Sequence, residues 1–421
     1  MTSKRIVIVS PRTWGQFGNY LAATRLAGVL RDRLPGAEVI VWAAESSMPW
    51  VGEIGARIAD ITLTSPDPAT RTARYLRLMA QIEDEHPQGF ETDPASTVLP
   101  KVDDLSAALR AASCDLVIGT KGFIARLCKA AVSNAGLAIP VVSYVTNPGL
   151  LELPIHRSAL LDAVVVPFDW AKDSLVRMEG VAPTTVHVVG PLVAGRDMRP
   201  FVGHTTTDSG QMSGWPAADD VCSRAKVIIF SNRGGDDYLR VLEHLSVRSD
   251  DVDVVFVGYD DPELVGRAMG GRPPARWRFH TRLTQAEYFR YLDEAGAAQG
   301  AFLISKSGPN TTLESAYFGI PVLMLESGLP MEAWVGGLIH DRGLGQCCDG
   351  ADELISVLDT WLADPAYVQR HKNACQNFAV GTLNQTVTAR RIGDLMRILL
   401  GQGTGGAQAA WTPETTMSKR A

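Results

Sequence analysis

With 421 residues the chain is long enough for two or three domains, two being the simplest division. Hydrophobic residues at 46% against 20% charged allow a large core. A net charge of −6 leaves no electrostatic case for bulk nucleic-acid binding or for an anionic membrane surface. Small anionic ligands stay open, because a local site need not follow net charge.

Cysteines 114, 128, 222, 347, 348 and 375 form no CxxC pair and no zinc-ligand grouping, so they read as reduced packing thiols and no metal is expected. The N-terminal apolar run is too short for a signal peptide, and no segment is long enough to span a bilayer. A soluble cytoplasmic protein is expected.

In chain order, short apolar runs alternate with helical patterns. RIVIVS (5–10) reads as a first strand and NYLAATRLAGVLRDRL (19–34) as an amphipathic helix. AEVIVWA (37–43), a helix near VGEIGARIA (51–59) and a strand DITLT (60–64) follow, then a polar stretch over about 65–100 without clear periodicity. KVDDLSAALRAA (101–112), CDLVIGT (114–120), GFIARLCKAAVSNAG (122–136) and IPVVSYVT (139–146) resume the alternation, and LDAVVVPF (161–168) and TVHVVG (185–190) close the series. Residues 193–220 lose all apolar periodicity and read as a linker or long loop.

A second series opens with KVIIFS (226–231) and a helix at DYLRVLEHLSV (237–247). DVDVVFVGY (251–259), RWRFHTRL (276–283), AFLIS (301–305) and IPVLML (320–325) are its strands. RIGDLMRILL (391–400) is a late amphipathic helix, and 401–421 reads as a disordered tail. The alternation predicts α/β domains with parallel, doubly wound sheets. The expected division is 1–195, a linker 196–222, a second domain 223–380, a helix 381–400 crossing back to the first domain, and the tail.

The richest segment is SKSGPNTTLESAYFGIPVLMLE (305–326). A strand ends, a small-residue turn follows, and a short helix stops at Gly319 before Pro321. The helix start offers unpaired N–H groups and a positive dipole end, an anion site to which Ser305, Ser307, Thr311 and Thr312 add hydroxyls. Small residues let the backbone approach a diphosphate closely, and Gly308 and Asn310 of the turn are candidates for donor binding. Glu314 lies one turn in, placed to take a ribose diol. The alternative is a capping box between Thr311 and Glu314 in an ordinary strand-to-helix loop.

The run SGPNTTLE followed by GIP resembles the nucleotide-binding signature of GT-B glycosyltransferases. It is most similar to the inverting group containing the peptidoglycan lipid N-acetylglucosaminyltransferase and the monogalactosyldiacylglycerol synthases. Lys306, Gly308, Thr311, Glu314, Gly319 and Pro321 carry the match. The resemblance implies two Rossmann-like domains facing a cleft, a nucleotide-sugar donor on the second domain, and Glu314 on the ribose. It also implies a sugar contact at Glu332 in LESGLPMEAW (325–334) and a diphosphate turn at Asn232, Arg233, Gly234 and Gly235. The base would be read near Arg282 and Leu283, and Asn147 in VVSYVTNPG (141–149) would lie on the acceptor side.

The first loop, SPRTWGQFGNYLA (10–22), departs from the family. Where relatives carry small residues and often a histidine base, this chain has Trp14, Gly15, Gln16 and Phe17. Glutamine accepts no proton at neutral pH. Trp14 and Phe17 read either as a wall for an aromatic acceptor or as loop packing. His86 and His156 are candidate replacement bases, each with a packing or surface reading beside it; alternatively the nucleophile is already reactive, as a thiolate or thione. Retaining relatives carry a second glutamate eight positions before Glu314, and here that position is Lys306, which favours inversion without a metal.

The resulting expectation is an inverting, metal-independent glycosyltransferase. It moves a hexosyl group from a UDP, GDP or dTDP sugar to a soluble small-molecule acceptor in secondary metabolism such as antibiotic biosynthesis. No cofactor, nucleic acid or membrane contact is expected, and a homodimer stays open. The alternatives are a lipid acceptor, a sugar-nucleotide epimerase of the same fold, or an inactive nucleotide-sugar-binding partner. DVD (251–253) reads as a solvated strand entry, and GFIARLCKAA (122–131) as a buried helix rather than a membrane patch.

Overall fold

The protein is described by a computed structural model covering residues 3–13, 18–65, 67–85, 102–149, 160–193, 224–231, 237–258, 265–266, 269–270, 274–306 and 308–402. The first half builds β1 (Arg5–Ser10), α1 (Gly18–Arg33), β2 (Glu38–Ala43), α2 (Pro49–Thr64), α3 (Pro68–Glu85) and α4 (Asp103–Ala112). It continues with β3 (Leu116–Gly119), α5 (Gly122–Asn134), β4 (Val141–Tyr144), β5 (Ala163–Val166), α6 (Asp169–Arg177) and β6 (Val186–Val188).

The second half starts with β7 (Ala225–Phe230), α7 (Asp237–Ser246), β8 (Val252–Val257), β9 (Arg278–His280), α8 (Gln285–Ala297) and β10 (Phe302–Lys306). Then come α9 (Pro309–Tyr317), β11 (Val322–Leu325), α10 (Ala333–Arg342), β12 (Gly345–Cys348), α11 (Ala351–Ala363), α12 (Pro365–Thr382) and α13 (Gln385–Leu399).

Each half forms a six-stranded sheet, in the orders β2-β1-β3-β4-β5-β6 and β12-β11-β10-β7-β8-β9. All neighbouring strands are parallel. Helices cover both faces, which is why β3, β4, β5, β8 and β11 are buried at every residue and read as mainly apolar runs. The second sheet has the 3-2-1-4-5-6 order of nucleotide-binding sheets. Its winding reverses between β7 and β10, and ligands of open α/β sheets lie beyond the carboxyl ends of strands at such a point.

Two expected elements need correction. DITLT is no strand but the last turns of α2, where Ile54, Ile58 and Ile61 bury one face at helical spacing. Its β-branched residues imitate a strand because the eye sees five residues and not the sixteen-residue helix they finish. The polar stretch after it contains α3, whose stripe of Tyr75, Leu78 and Ile82 is buried beneath an arginine-rich outer face. Asp67 starts that helix: its carboxylate accepts from the Thr70 N–H at 2.8 Å and from the Thr70 hydroxyl at 2.6 Å. Those bonds, the hydroxyl first, hold its pKa below the ordinary carboxylate value.

The halves interlock. Ile392, Leu395 and Met396 of α13 lie in one cluster with Ile6, Ile8 and Leu26 of the first sheet and α1. Arg397 also donates to the Arg33 carbonyl at 2.7 Å. Leu329 and Met331, beyond β11, are buried in the first sheet's core, while Phe168 and Val193 are buried in the second's. α5 is buried from Gly122 through Cys128, as a core helix must be. Asp253 is not a solvated strand entry: it is 9% exposed inside β8, with the Arg276 guanidinium 3.1 Å away. Cys114, Cys128, Cys347, Cys348 and Cys375 are free thiols. Among the described residues no helix is long and apolar enough to cross a membrane.

Candidate functional site at the domain boundary

β10 ends at Lys306, and α9 starts three residues on, with Gly308 as N-cap and Pro309 as its first residue. Pro309 has no N–H to satisfy and a backbone angle already suited to a helix. The N-cap has no side chain to offer its own turn. Thr311 is therefore the third helical residue rather than a cap, so the Thr311–Glu314 capping box does not form.

Two of the four hydroxyls expected to face an anion are spent within the chain. Ser305 is fully buried and donates to the Lys306 carbonyl at 3.0 Å. Thr312 is 1% exposed and donates to the Gly308 carbonyl at 2.9 Å, the back-bond available to a threonine four residues into a helix. Thr311 is half-buried at the helix start.

Glu314 is buried, and its carboxylate pairs with the Arg25 guanidinium of α1, from the other half of the molecule. The Tyr288 hydroxyl of α8 bonds to the same carboxylate; burial first, and then that charge, push the phenol's pKa well above its ordinary value. Tyr288 stands edge-on to Phe230, at the carboxyl end of β7, with ring centroids 5.2 Å apart. One turn before Glu314, Asn310 faces Gly18: a Cβ on that glycine would meet the Asn310 amide nitrogen at 3.3 Å. α1 and α9 thus close on each other, with Arg25 holding the acid that sequence reasoning gave to a ribose.

The segment 325–334 is gripped by the first domain from three sides. Arg71 of α3 donates to the Ser327 carbonyl, and the Thr72 hydroxyl to the Gly328 carbonyl at 2.7 Å. Gly328 has φ +64°, and a side chain there would come within 2.4 Å of Pro68 Cα, so only glycine fits. Trp334 donates from Nε1 to Asn147 Oδ1 at 2.6 Å and packs with Phe168 and Trp170, each ring centroid 5.8 Å from the others. Gly149 completes the seam; a Cβ on it would fall 2.7 Å from the Met331 carbonyl oxygen.

Lys306 and Glu332, the basic residue of the turn and the acid of the loop, lie 3.5 Å apart. Asn147, Lys306, Gly308, Asn310, Thr311, Glu314 and Glu332 therefore belong to one boundary region. Arg282 is exposed, and Leu283 packs into the second domain's core. Trp14, Gly15, Gln16, Phe17, His86, His156, Asn232, Arg233, Gly234, Gly235 and Ser307 lie outside the described residues.

On the first sheet, the Thr120 hydroxyl lies 2.8 Å from that of Ser10, and the Thr146 hydroxyl lies 2.5 Å from Asn19 Oδ1. These groups sit where β1, β3 and β4 end, opposite α9. Sequence reasoning missed them, and it missed Arg25, Arg71 and Tyr288. Only the switch from strand to helix beyond β1 and β3 pointed to this edge.

No family profile and no curated protein matches the chain. Solved structures do. A protein assigned as a UDP-N-acetylglucosamine 2-epimerase from Listeria monocytogenes aligns over 96% of this chain and 98% of its own, with TM-score 0.58 and 14% identity. The glycosyltransferase SnogD from Streptomyces nogalater aligns over 94% and 99%, with TM-score 0.53 and 16% identity. MnaA of S. aureus, solved with UDP, aligns over 95% and 98%, with TM-score 0.59 and 12% identity. The chain thus has the two-sheet α/β architecture of GT-B glycosyltransferases and UDP-N-acetylglucosamine 2-epimerases.

Proposed function

We propose that this protein is an inverting glycosyltransferase that transfers a hexosyl group from a nucleoside-diphosphate sugar to a small soluble acceptor. The observation that carries the reading is the turn after β10. It lies at the winding reversal of the second sheet, it opens α9 at a glycine, and it follows a lysine, the last residue of β10. A helix start at a switch point favours a diphosphate.

In this reading the acceptor attacks the anomeric carbon from the face opposite the diphosphate. The carbon–oxygen bond breaks with its electron pair on the departing phosphate. The dipole of α9 and the Lys306 ammonium stabilise the charge that develops there, and the chemistry then calls for no metal. The acceptor's proton passes to a base, or is already absent when the nucleophile is a thiolate. Glu314 takes the ribose diol once Arg25 releases it. Closure over the bound donor excludes water.

Incubation of the protein with UDP, dTDP and GDP sugars and an acceptor panel tests this. Release of nucleoside diphosphate with an inverted anomeric product is expected; a retained configuration contradicts the mechanism.

A second reading, 2-epimerisation of a UDP-N-acetylhexosamine, rests on the similarity to the Listeria structure. It predicts deuterium at C2 when that donor is held in heavy water without acceptor. The transferase reading predicts none.

A further inference from the structure

The loop from β11 to α10 belongs in sequence to the second domain but is fixed by the first. It leaves the second sheet at Glu326, whose N–H still donates to the Cys348 carbonyl at 3.0 Å. The next two carbonyls are taken by α3 of the first domain, that of Ser327 by the Arg71 guanidinium and that of Gly328 by the Thr72 hydroxyl at 2.7 Å. The Leu329 N–H then donates to the Ser327 hydroxyl oxygen at 3.1 Å, and the Glu332 N–H to the Leu329 carbonyl at 2.8 Å. Leu329 and Met331 are buried in the first domain's core. The backbone from 327 to 332 is thus held step by step, and it ends with the Glu332 carboxylate beside Lys306.

The bonds of the Glu332 carboxylate do not account for that position. The residue is 9% exposed, and one of its oxygens lies 3.5 Å from the Lys306 ammonium. A close ion pair of this kind measures about 2.7–2.9 Å. The other oxygen, Oε2, is buried with no hydrogen-bond partner among the described residues. A buried carboxylate so poorly satisfied costs free energy, so it stays because its loop is anchored to α3. The acid is imposed on the lysine. Lys306 closes β10 at the turn that opens α9, so Glu332 cancels part of the positive charge there. A diphosphate arriving at that turn competes with Glu332 for the same ammonium.

We propose that Arg71 and Thr72 are positioning residues for the donor turn: through the loop they hold Glu332 on Lys306 as a counter-anion that a diphosphate must displace. The inference rests on the reading of that turn as a diphosphate site. It gives α3, a helix of the first domain, control over the affinity of a site on the second. The control is selective for charge, because Glu332 opposes the phosphates and not the nucleoside.

The test is calorimetry of wild type, Glu332→Gln, Thr72→Val and the double variant with UDP, UMP and uridine, repeated with the dTDP and GDP series. Glu332→Gln removes the competing charge and should tighten the diphosphate about tenfold, the monophosphate less and the nucleoside not at all. Thr72→Val keeps the side chain's shape, loses its hydroxyl and should tighten the diphosphate about threefold. In the Glu332→Gln background Thr72→Val should change nothing, because it acts only through that acid; a merely structural role would shift affinity in both backgrounds. Melting temperatures report whether each variant is folded, and where Glu332→Gln is not, Thr72→Val across the nucleoside, monophosphate and diphosphate decides alone. Diphosphate affinity unchanged or weakened in Glu332→Gln overturns the counter-anion. Unchanged affinity in Thr72→Val, or an equal effect in both backgrounds, overturns the positioning role. Both leave the donor reading standing while wild type binds a diphosphate. Wild type that binds none overturns the donor reading and this inference with it.

Discussion

Breaking the Arg25–Glu314 pair should be among the most costly single changes in this protein. Both side chains are 5% exposed and come from helices of different domains. Arg25→Met leaves a buried carboxylate with only the Tyr288 hydroxyl; Glu314→Leu leaves a buried guanidinium whose Nε already lacks a partner. Stranding one member of a buried pair costs about 3–5 kcal/mol, whereas replacing both by apolar groups of similar volume is near neutral or stabilising by about 1–4 kcal/mol.

The double variant Arg25→Met/Glu314→Leu should therefore be more stable than either single variant, with a coupling of roughly 3 kcal/mol or more. Urea unfolding followed by tryptophan fluorescence and circular dichroism measures it, with separate domain transitions fitted where they part. Nucleotide binding is a second readout. Arg25→Met frees the acid proposed for the ribose and weakens closure, so UDP-type ligands should bind it no more weakly than wild type, while Glu314→Leu should lose them. Single variants within about 0.5 kcal/mol of wild type, or a double variant as unstable as the sum of the singles, would refute the coupling.

Gly149→Ala pushes a methyl to within 2.7 Å of the Met331 carbonyl oxygen. It should cost about 1–3 kcal/mol in an unfolding experiment and lower turnover by displacing the seam. Trp334→Phe removes the donor to Asn147 Oδ1, whose other contact, the Gly149 N–H, is at 3.4 Å. A loss of about 1 kcal/mol is expected by the same measurement.

Burial first depresses the pKa values of His187 and His280 below the ordinary 6.5; the Lys172 ammonium adds to this at His187, while at His280 the Glu287 carboxylate opposes it more strongly than the Arg278 guanidinium adds to it. The fold therefore favours the neutral rings, and the unfolded chain takes up their protons first. Their stability contribution is complete above about pH 6.5 and declines as pH falls through 6.5 toward the lower folded values. His187→Gln/His280→Gln should flatten that slope in melting temperatures taken from pH 7.5 to 5.

The strands were legible because sheets covered on both faces need unbroken apolar runs, and β1, β7 and β10 stand where those runs lie. A helix after β10 was legible from the break in the apolar run, but its start was placed at Thr311, two residues late, because Gly308 and Pro309 read equally well as turn residues. α3 was not, because three buried residues in eighteen are outnumbered by its charged face. The hydroxyls of Ser305 and Thr312 were misassigned because sequence does not say which side of a buried strand or helix a small polar group takes. Arg25 and Glu314 lie 289 residues apart, and their meeting depends on how two domains close, which no local pattern encodes.

In the proposed reading the turn beyond β10 holds a nucleoside diphosphate. Isothermal titration of wild-type protein with UDP, dTDP and GDP tests it most directly. One-to-one binding of at least one of the three is expected, lost in Glu314→Leu. Absence of binding by all three contradicts it.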